Sequence, residues 1–514
     1  MRLASIFTDH MVFQAKKPIK IFGEGKGTIC ISFVGEEVTY FSETDEWCVT
    51  LPEKAYGGPY ELKVTLNGEE IIIHDVYIGE VWLACGQSNM ELPLFRVENG
   101  IEDAQYADND KIRFFTVPRR IEKNTPIYGW HSEKSFSEDT PWQISSEKSA
   151  LHFSAIGYYV AKGLQEKLQV AVGVVSCNWG AKTIEAFIRN DYFEQAESLK
   201  KVLENYNQIL KTEDLEFYKQ EYQRSLVEWK NLYDSITWDE IEEVREKGIR
   251  ATARIPDYPV PVVTYGPYNA KAPGRLYDAM ISRIVPFGAK GVLWYQGEGN
   301  QSDNYLEKYL VFMKCMRETF QNKDLAFYAV ELASCAYMEG NNTLPAEDRF
   351  VTGNNWAFTR QQQQMATELE ENNYLVTSME LGELYNVHPI HKKPLAHRIL
   401  RKVLRYSYGM DVAADQPIVD SVEFKGSKVY IRIKNSDGLY CNMLPWVKMY
   451  LADDRHVLQR AEIEIKDEML VLSCKELMEP TVVQYAFDYH YAGSYIYNKA
   501  GLPLAPFRVY KNCE

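Results

Sequence analysis

Short apolar runs separated by turn residues open this chain. Ile19-Lys20-Ile21-Phe22, Thr28-Ile29-Cys30-Ile31-Ser32-Phe33 and Tyr60-Glu61-Leu62-Lys63-Val64 have strand lengths, and Gly57-Gly58-Pro59 and Asn67-Gly68 punctuate them. This pattern predicts an N-terminal β-sandwich-like module over residues 1–78. From residue 79 the texture changes. Val170-Ala171-Val172-Gly173-Val174-Val175, Gly291-Val292-Leu293-Trp294-Tyr295, Leu325-Ala326-Phe327-Tyr328-Ala329-Val330 and Tyr374-Leu375-Val376-Thr377-Ser378-Met379 are apolar over most of their length. Such runs suit a parallel sheet covered on both faces. Helical stretches between them, including 155–168 and 304–320, predict an α/β layer fold over residues 79–410. Residues 190–252 are rich in Glu, Lys, Gln, Leu and Tyr, with no glycine before Gly248. They read as a helical insertion, either packed beside the site or a solvated decoration. After Gly409, the runs Ser421-Val422-Glu423-Phe424, Lys428-Val429-Tyr430-Ile431-Arg432-Ile433 and 481–487 predict a C-terminal β domain over residues 411–514.

Composition narrows the classes. A chain of 514 residues is too long for one core and suggests about two to four domains. A net charge of −15 argues against nucleic acid or an anionic membrane as partner. No apolar stretch is long enough to span a bilayer. Met1-Arg2-Leu3-Ala4-Ser5-Ile6-Phe7 runs into Thr8-Asp9-His10 without the apolar centre of a secretory leader. The nine cysteines are scattered and odd in number, which reads as reduced thiols. A cytoplasmic location is the expectation. The sequence does not set the oligomeric state.

Candidate chemistry sits where strands should end. Cys85-Gly86-Gln87-Ser88-Asn89-Met90 follows the apolar run Val81-Trp82-Leu83-Ala84. Glycine permits a sharp turn there, and a serine on such a turn serves either as an exposed nucleophile or as a helix cap. Asn178-Trp179-Gly180-Ala181, Gln296-Gly297-Glu298-Gly299-Asn300 and Val387-His388-Pro389-Ile390-His391 follow three other predicted strands. Carboxyl ends of parallel strands are where open α/β sheets build sites. Acyl transfer needs a nucleophile, a base and oxyanion donors. Ser88, His388 and the N–H groups of Ser88, Gly180 and the Gln296 side chain offer that set. The motif is not the G-x-S-x-G elbow, which argues against the α/β-hydrolase fold. His391 reads as a surface histidine. Pro389 and the lack of a zincin-like motif argue against a His388–His391 metal pair.

These blocks resemble the sialate O-acetylesterase family, which are SGNH-type carbohydrate esterases. The likeness rests on Gly86-Gln87-Ser88-Asn89-Met90; on Trp179-Gly180 with Ile184-Glu185-Ala186-Phe187; on Trp294-Tyr295-Gln296-Gly297-Glu298; and on Val387-His388-Pro389 followed by Lys392 and Arg398. Residues 7–14, Gly57-Gly58-Pro59-Tyr60 and residues 498–508 extend it over nearly the whole chain outside 190–252. The resemblance implies an SGNH-hydrolase-like three-layer parallel-sheet core flanked by the two β modules. It further implies a serine esterase that removes O-acetyl groups from a sugar or oligosaccharide through an acetyl-serine intermediate, without metal or cofactor. Carried over, Ser88 is the nucleophile, His388 the base, and Ser88, Gly180 and Gln296 form the oxyanion hole.

Departures from the family pattern matter as much. Tyr385 and Asn386 occupy the two positions where an orienting aspartate is found, which points to a bare Ser–His dyad. Glu383 and Glu380 are the nearest preceding carboxylates, and Glu298, Glu383 and Asn386 are candidates for orienter or loop brace. Ala181 stands where the family commonly has a second glycine, and Gly299 where it often has serine. An acidic sugar needs a basic residue nearby, for which Lys182 and Arg275 are candidates. Acetylated hemicellulose fragments are the alternative substrate, and a carbohydrate-binding protein with a decayed site is the alternative class.

Overall fold

The computed structural model describes residues 2–119, 141–235, 269–300, 304–336, 350, 356–466 and 468–511. It divides into two compact units, Met1–Gln296 with Glu307–Phe327, and Gly297–Leu306 with Tyr328–Glu514.

After two short strands at Arg2–Leu3 and Val12–Gln14, the first unit continues with β1 (Ile19–Glu24), β2 (Gly27–Phe33), β3 (Glu36–Ser42), β4 (Glu46–Leu51) and β5 (Gly57–Leu66). All their pairings with one another are antiparallel: β1 with β4, and β2 with β3 and β5. In β4 the side chains of Trp47, Val49 and Leu51 are buried while Glu46, Cys48 and Thr50 are exposed, the alternation of a strand with one face on a core. Gly57-Gly58-Pro59 lies inside β5 and not at a turn. The ladder accommodates it with register shifts around Tyr60, because proline has no N–H for regular pairing.

The next strand, β6 (Glu69–Gly86), is 18 residues long. Its first half pairs antiparallel with β5, and its second half pairs parallel with β8 (Val172–Asn178) and β9 (Gly291–Tyr295). Burial is mixed before Val76 and continuous from there on. One strand therefore serves both sheets and runs unbroken through residue 78. With β7 (Asn109–Thr116) on the far side of β8, the parallel order is β7-β8-β6-β9. Every residue of β8 and β9 is buried, as expected of strands covered on both faces. Helix α1 (Ser88–Glu91) follows β6 directly. Helix α2 (Ala155–Leu168) occupies the expected span. Its Ser154 cap accepts the Gly157 N–H, and it packs on β8. The expected insertion is helical where described, as α3 (Glu197–Thr212) and α4 (Leu215–Ser235); residues 236–252 lie outside the described residues.

Strand β10 (Ala326–Val330), which enters the second unit at Tyr328, neighbours β11 (Asn373–Val376) there, and α5 (Trp356–Leu369) and α6 (Lys392–Tyr408) accompany them. Two antiparallel sheets follow. Strands β12 (Ile418–Lys425), β13 (Lys428–Lys434), β15 (Glu462–Lys466) and β16 (Met469–Ser473) form one; β14 (Met449–Ala452), β17 (Val482–Tyr485) and β18 (Phe507–Tyr510) belong to the other. Val429, Ile431, Leu470 and Leu472 from the first pack in one cluster with Met449, Leu451, Val483 and Tyr485 from the second. The fold is α/β with antiparallel sheets towards both ends of the sequence. Among the described residues no helix is long and apolar enough to cross a membrane.

The run expected as a strand to Met379 stops at Val376 and gives way to a 3-10 turn at Met379–Leu381. A buried carboxylate is the reason: Glu331 Oε1 accepts the N–H groups of Ser378 at 2.9 Å and Met379 at 3.1 Å. Burial lifts the Glu331 pKa to about 7 against the opposing pull of Arg360. The folded chain therefore holds a proton that the unfolded chain has released between about pH 4.5 and 7, so this group's contribution to stability falls as pH rises through that window. Glutamine keeps the accepting oxygen without the charge. The thermal midpoint of Glu331→Gln relative to the parent should rise from pH 5 to pH 8 in calorimetry, and a pH-independent difference would contradict this.

Candidate functional site

Strands β8, β6 and β9 end level, since Asn178 and Tyr295 both sit opposite Gly86. The edge is stitched by backbone bonds: Trp179 N–H donates to the Gly86 carbonyl at 3.1 Å, and Gln87 N–H to the Tyr295 carbonyl at 3.0 Å. Gly86 has φ +140, and a Cβ there would lie 2.1 Å from the Tyr295 oxygen. Only glycine fits. The chain then turns into α1. From Val81 to Met90 every residue is buried except Ser88, which is partly exposed. The fold thus surfaces one hydroxyl at the end of a buried strand.

Of the residues picked out in the sequence, Ser88, Gly180 and Gln296 come to this one edge. Gln296 follows β9 directly, is fully buried, and its Nε2 donates to the Lys182 carbonyl at 3.2 Å. The side-chain amide is thereby tied to the segment that carries Gly180. The Gly180 N–H donates to Glu91 Oε2 at 2.9 Å, so it is engaged by a carboxylate one helical turn from Ser88. Glu91 Oε1 pairs with Arg119 Nη2 at 2.8 Å, and Arg119 Nε donates to the Asn178 carbonyl at 3.1 Å. Trp179 and Trp294 are core. Ala181 takes φ +58, a left-handed conformation that costs a side-chain-bearing residue about 1–2 kcal/mol and explains why glycine suits that position.

Sequence reasoning missed Glu91 and Arg119. Glu91 lies within the motif's own helix, but its partner is far along the chain and carries no local signal. The pair is almost wholly buried, and removal of one member leaves the other charge uncompensated. Glu91→Ala is expected to lower the unfolding free energy by about 3–5 kcal/mol, measured by urea denaturation. A loss below about 1 kcal/mol, the range of exposed pairs, would contradict that role.

The two basic candidates separate. Lys182 shares the Gly180 segment, and its ammonium lies 5.5 Å from the Trp179 ring centroid. Burial, with the like charge of Lys271, lowers its pKa to about 8 against the pull of Glu91. Arg275 instead lines a cavity of about 670 Å³ with Trp47, Glu24, Asp278 and Arg283. None of Ser88, Gly180 or Gln296 lines that cavity.

His388, Asn386, Glu383 and Glu298 belong to the second unit. His388 is partly exposed and Pro389 buried. Asn386 Oδ1 accepts the His388 backbone N–H at 3.0 Å, and Asn386 Nδ2 donates to Glu383 Oε2 at 3.2 Å. Glu383 Oε1 accepts the Ile390 N–H at 2.7 Å. Glu380 is committed elsewhere, in an ion pair with Arg398, whose Nη1 donates to the Thr377 carbonyl at 2.9 Å. Lys392 is 1% exposed. Burial lowers its pKa to about 7, while the charges of Glu298 and Glu383 act to raise it. Among the described residues no group of three His, Cys, Asp or Glu is placed to hold a metal ion.

The chain is similar to carbohydrate esterases, and the matches to known proteins support a carboxylic ester hydrolase. They bear out the resemblance to the sialate O-acetylesterase family. Residues 266–401 match the family model described as a carbohydrate esterase, sialic acid-specific acetylesterase. The chain is 22% identical over 461 residues to the sialate O-acetylesterase of Homo sapiens, covering 83% of this chain and 75% of that protein. It is 24% identical over 440 residues to that of Rattus norvegicus, covering 79% and 74%. A crystal structure of a carbohydrate acetylesterase from Xanthomonas citri superposes with a TM-score of 0.74 at 23% identity, covering 99% of each chain. That likeness shows a shared fold.

Proposed function

We propose that this chain is a carbohydrate O-acetylesterase that works as a serine hydrolase through Ser88 and His388. The observation that carries it is the partly exposed hydroxyl of Ser88, which stands out of the otherwise buried stretch 81–90 at the level ends of β8, β6 and β9. Ser88 Oγ attacks the acetyl carbonyl while His388 takes its proton. The sugar hydroxyl leaves with that proton, and water then releases acetate from the acetyl-serine by the same steps in reverse. The Ser88 N–H and the Gln296 amide supply oxyanion donors, and the Gly180 N–H joins them when its bond to Glu91 opens. The two ends of the Asn386 amide are committed to the His388 backbone and to Glu383, which supports a dyad held by its loop. The core is proposed to be an SGNH-like three-layer sheet with β modules at both ends, in a cytoplasmic protein.

Lys182, on the Gly180 segment, supports an acidic sugar such as an O-acetylated sialic acid. Its ammonium carries a positive charge below about pH 8, suited to a carboxylate. The test is acetate release from a panel of O-acetylated sialic acid, acetylated neutral oligosaccharide and p-nitrophenyl acetate. Turnover of the acidic sugar with the highest kcat/KM is expected. Preference for the neutral oligosaccharide would move the substrate to hemicellulose fragments. Binding without turnover of any ester would leave a carbohydrate-binding protein.

A further inference from the structure

The segment from Glu383 to Ile390 is closed by three side-chain bonds, and they form one chain of donors and acceptors. The Ile390 N–H donates to Glu383 Oε1, Asn386 Nδ2 donates to Glu383 Oε2, and the His388 N–H donates to Asn386 Oδ1. An Asn that accepts the N–H two residues on makes an Asx turn. Here that turn is anchored by a carboxylate that also grips the backbone beyond the histidine. The Ile390 carbonyl in turn accepts the Lys392 N–H at 2.8 Å, where α6 begins.

We propose that Glu383 is the positioning residue for His388, and that it acts through Asn386 and Ile390 to fix the backbone on both sides of the imidazole. This rests on the reading of His388 as the base. The bonds made by Glu383 run to a backbone amide and to the Asn386 side chain, so Glu383 acts on the loop that carries the ring. A backbone fixed at residues 386, 388 and 390 narrows the positions open to the imidazole, which favours one reactive geometry.

The clamp has a testable polarity. Exchanging its ends, in Glu383→Gln with Asn386→Asp, keeps every bond. The glutamine oxygen at position 383 still accepts from the Ile390 N–H. Its amide donates to the carboxylate now at position 386, and that carboxylate accepts the His388 N–H. The total charge is also unchanged. Each single substitution breaks the chain. Asn386→Asp sets two carboxylates against each other at the 3.2 Å position, and Glu383→Gln sets amide against amide there or turns one from its backbone N–H.

The experiment measures kcat and KM on p-nitrophenyl acetate for the parent, both singles and the double, with hydrogen exchange read over residues 383–391 by mass spectrometry. Each single is expected to lower kcat about 10- to 100-fold with KM within about twofold, and to speed exchange in that peptide. The double is expected to return to within about threefold of the parent in kcat and to parental exchange, the signature of coupled sites. Singles that match the parent, or a double whose loss is the product of the two singles, would overturn the proposal. If the parent shows no esterase activity, the functional reading fails. Exchange then decides the clamp alone: recovery in the double supports it and additive loss refutes it.

Discussion

Ser88→Ala should abolish release of p-nitrophenol from p-nitrophenyl acetate, with kcat falling by about 10⁴-fold or more. The hydroxyl is the only group at this position able to form the acyl bond. The residual rate would be that of the oxyanion donors and binding alone. The loss should not arise from unfolding. The Ser88 carbonyl accepts the Leu92 N–H at 2.9 Å, a bond alanine retains, and alanine favours the helix. A urea midpoint equal to the parent's should accompany the loss. Activity within tenfold of the parent would assign the chemistry to another residue.

His388→Ala should cost nearly as much, about 10³- to 10⁴-fold in kcat, with little change in KM. The Asx turn uses the backbone N–H of residue 388, so the loop survives loss of the ring. Because nucleophile and base act as one unit, the double variant Ser88→Ala/His388→Ala should be no slower than Ser88→Ala. Losses that multiply in the double would show that the histidine works independently of the serine. These measurements read the base, whereas the exchange of Glu383 and Asn386 reads what positions it.

Much of this was legible in sequence because the informative residues punctuate strands. Gly86, Gly180 and Gly297 stand at or just past the ends of three apolar runs, and the structure brings the ends of those three strands level with one another. The run at residues 291–295 and the helix at 155–168 have the spans that periodicity predicts, since apolar strands and capped amphipathic helices are local signals. What was not legible depends on distant partners. The division at residue 78 has no counterpart in β6, which keeps its direction and changes neighbours at that point. The early end of β11 is decided by Glu331, far from Met379 in sequence. Glu91–Arg119 and the Glu383–Asn386 clamp were invisible or ambiguous for the same reason. A carboxylate's function depends on which amide or guanidinium the fold sets before it, and spacing along the chain does not carry that information.

The direct measurement is rapid mixing with p-nitrophenyl acetate, acid quench within the first turnover and peptide mapping by mass spectrometry. A 42 Da acetyl adduct on the peptide containing Ser88, localised to its hydroxyl and absent from Ser88→Ala, is the predicted result (the mass is that of an added acetyl group less one hydrogen). Full turnover with the adduct on a different residue, or an adduct that persists in Ser88→Ala, would contradict it.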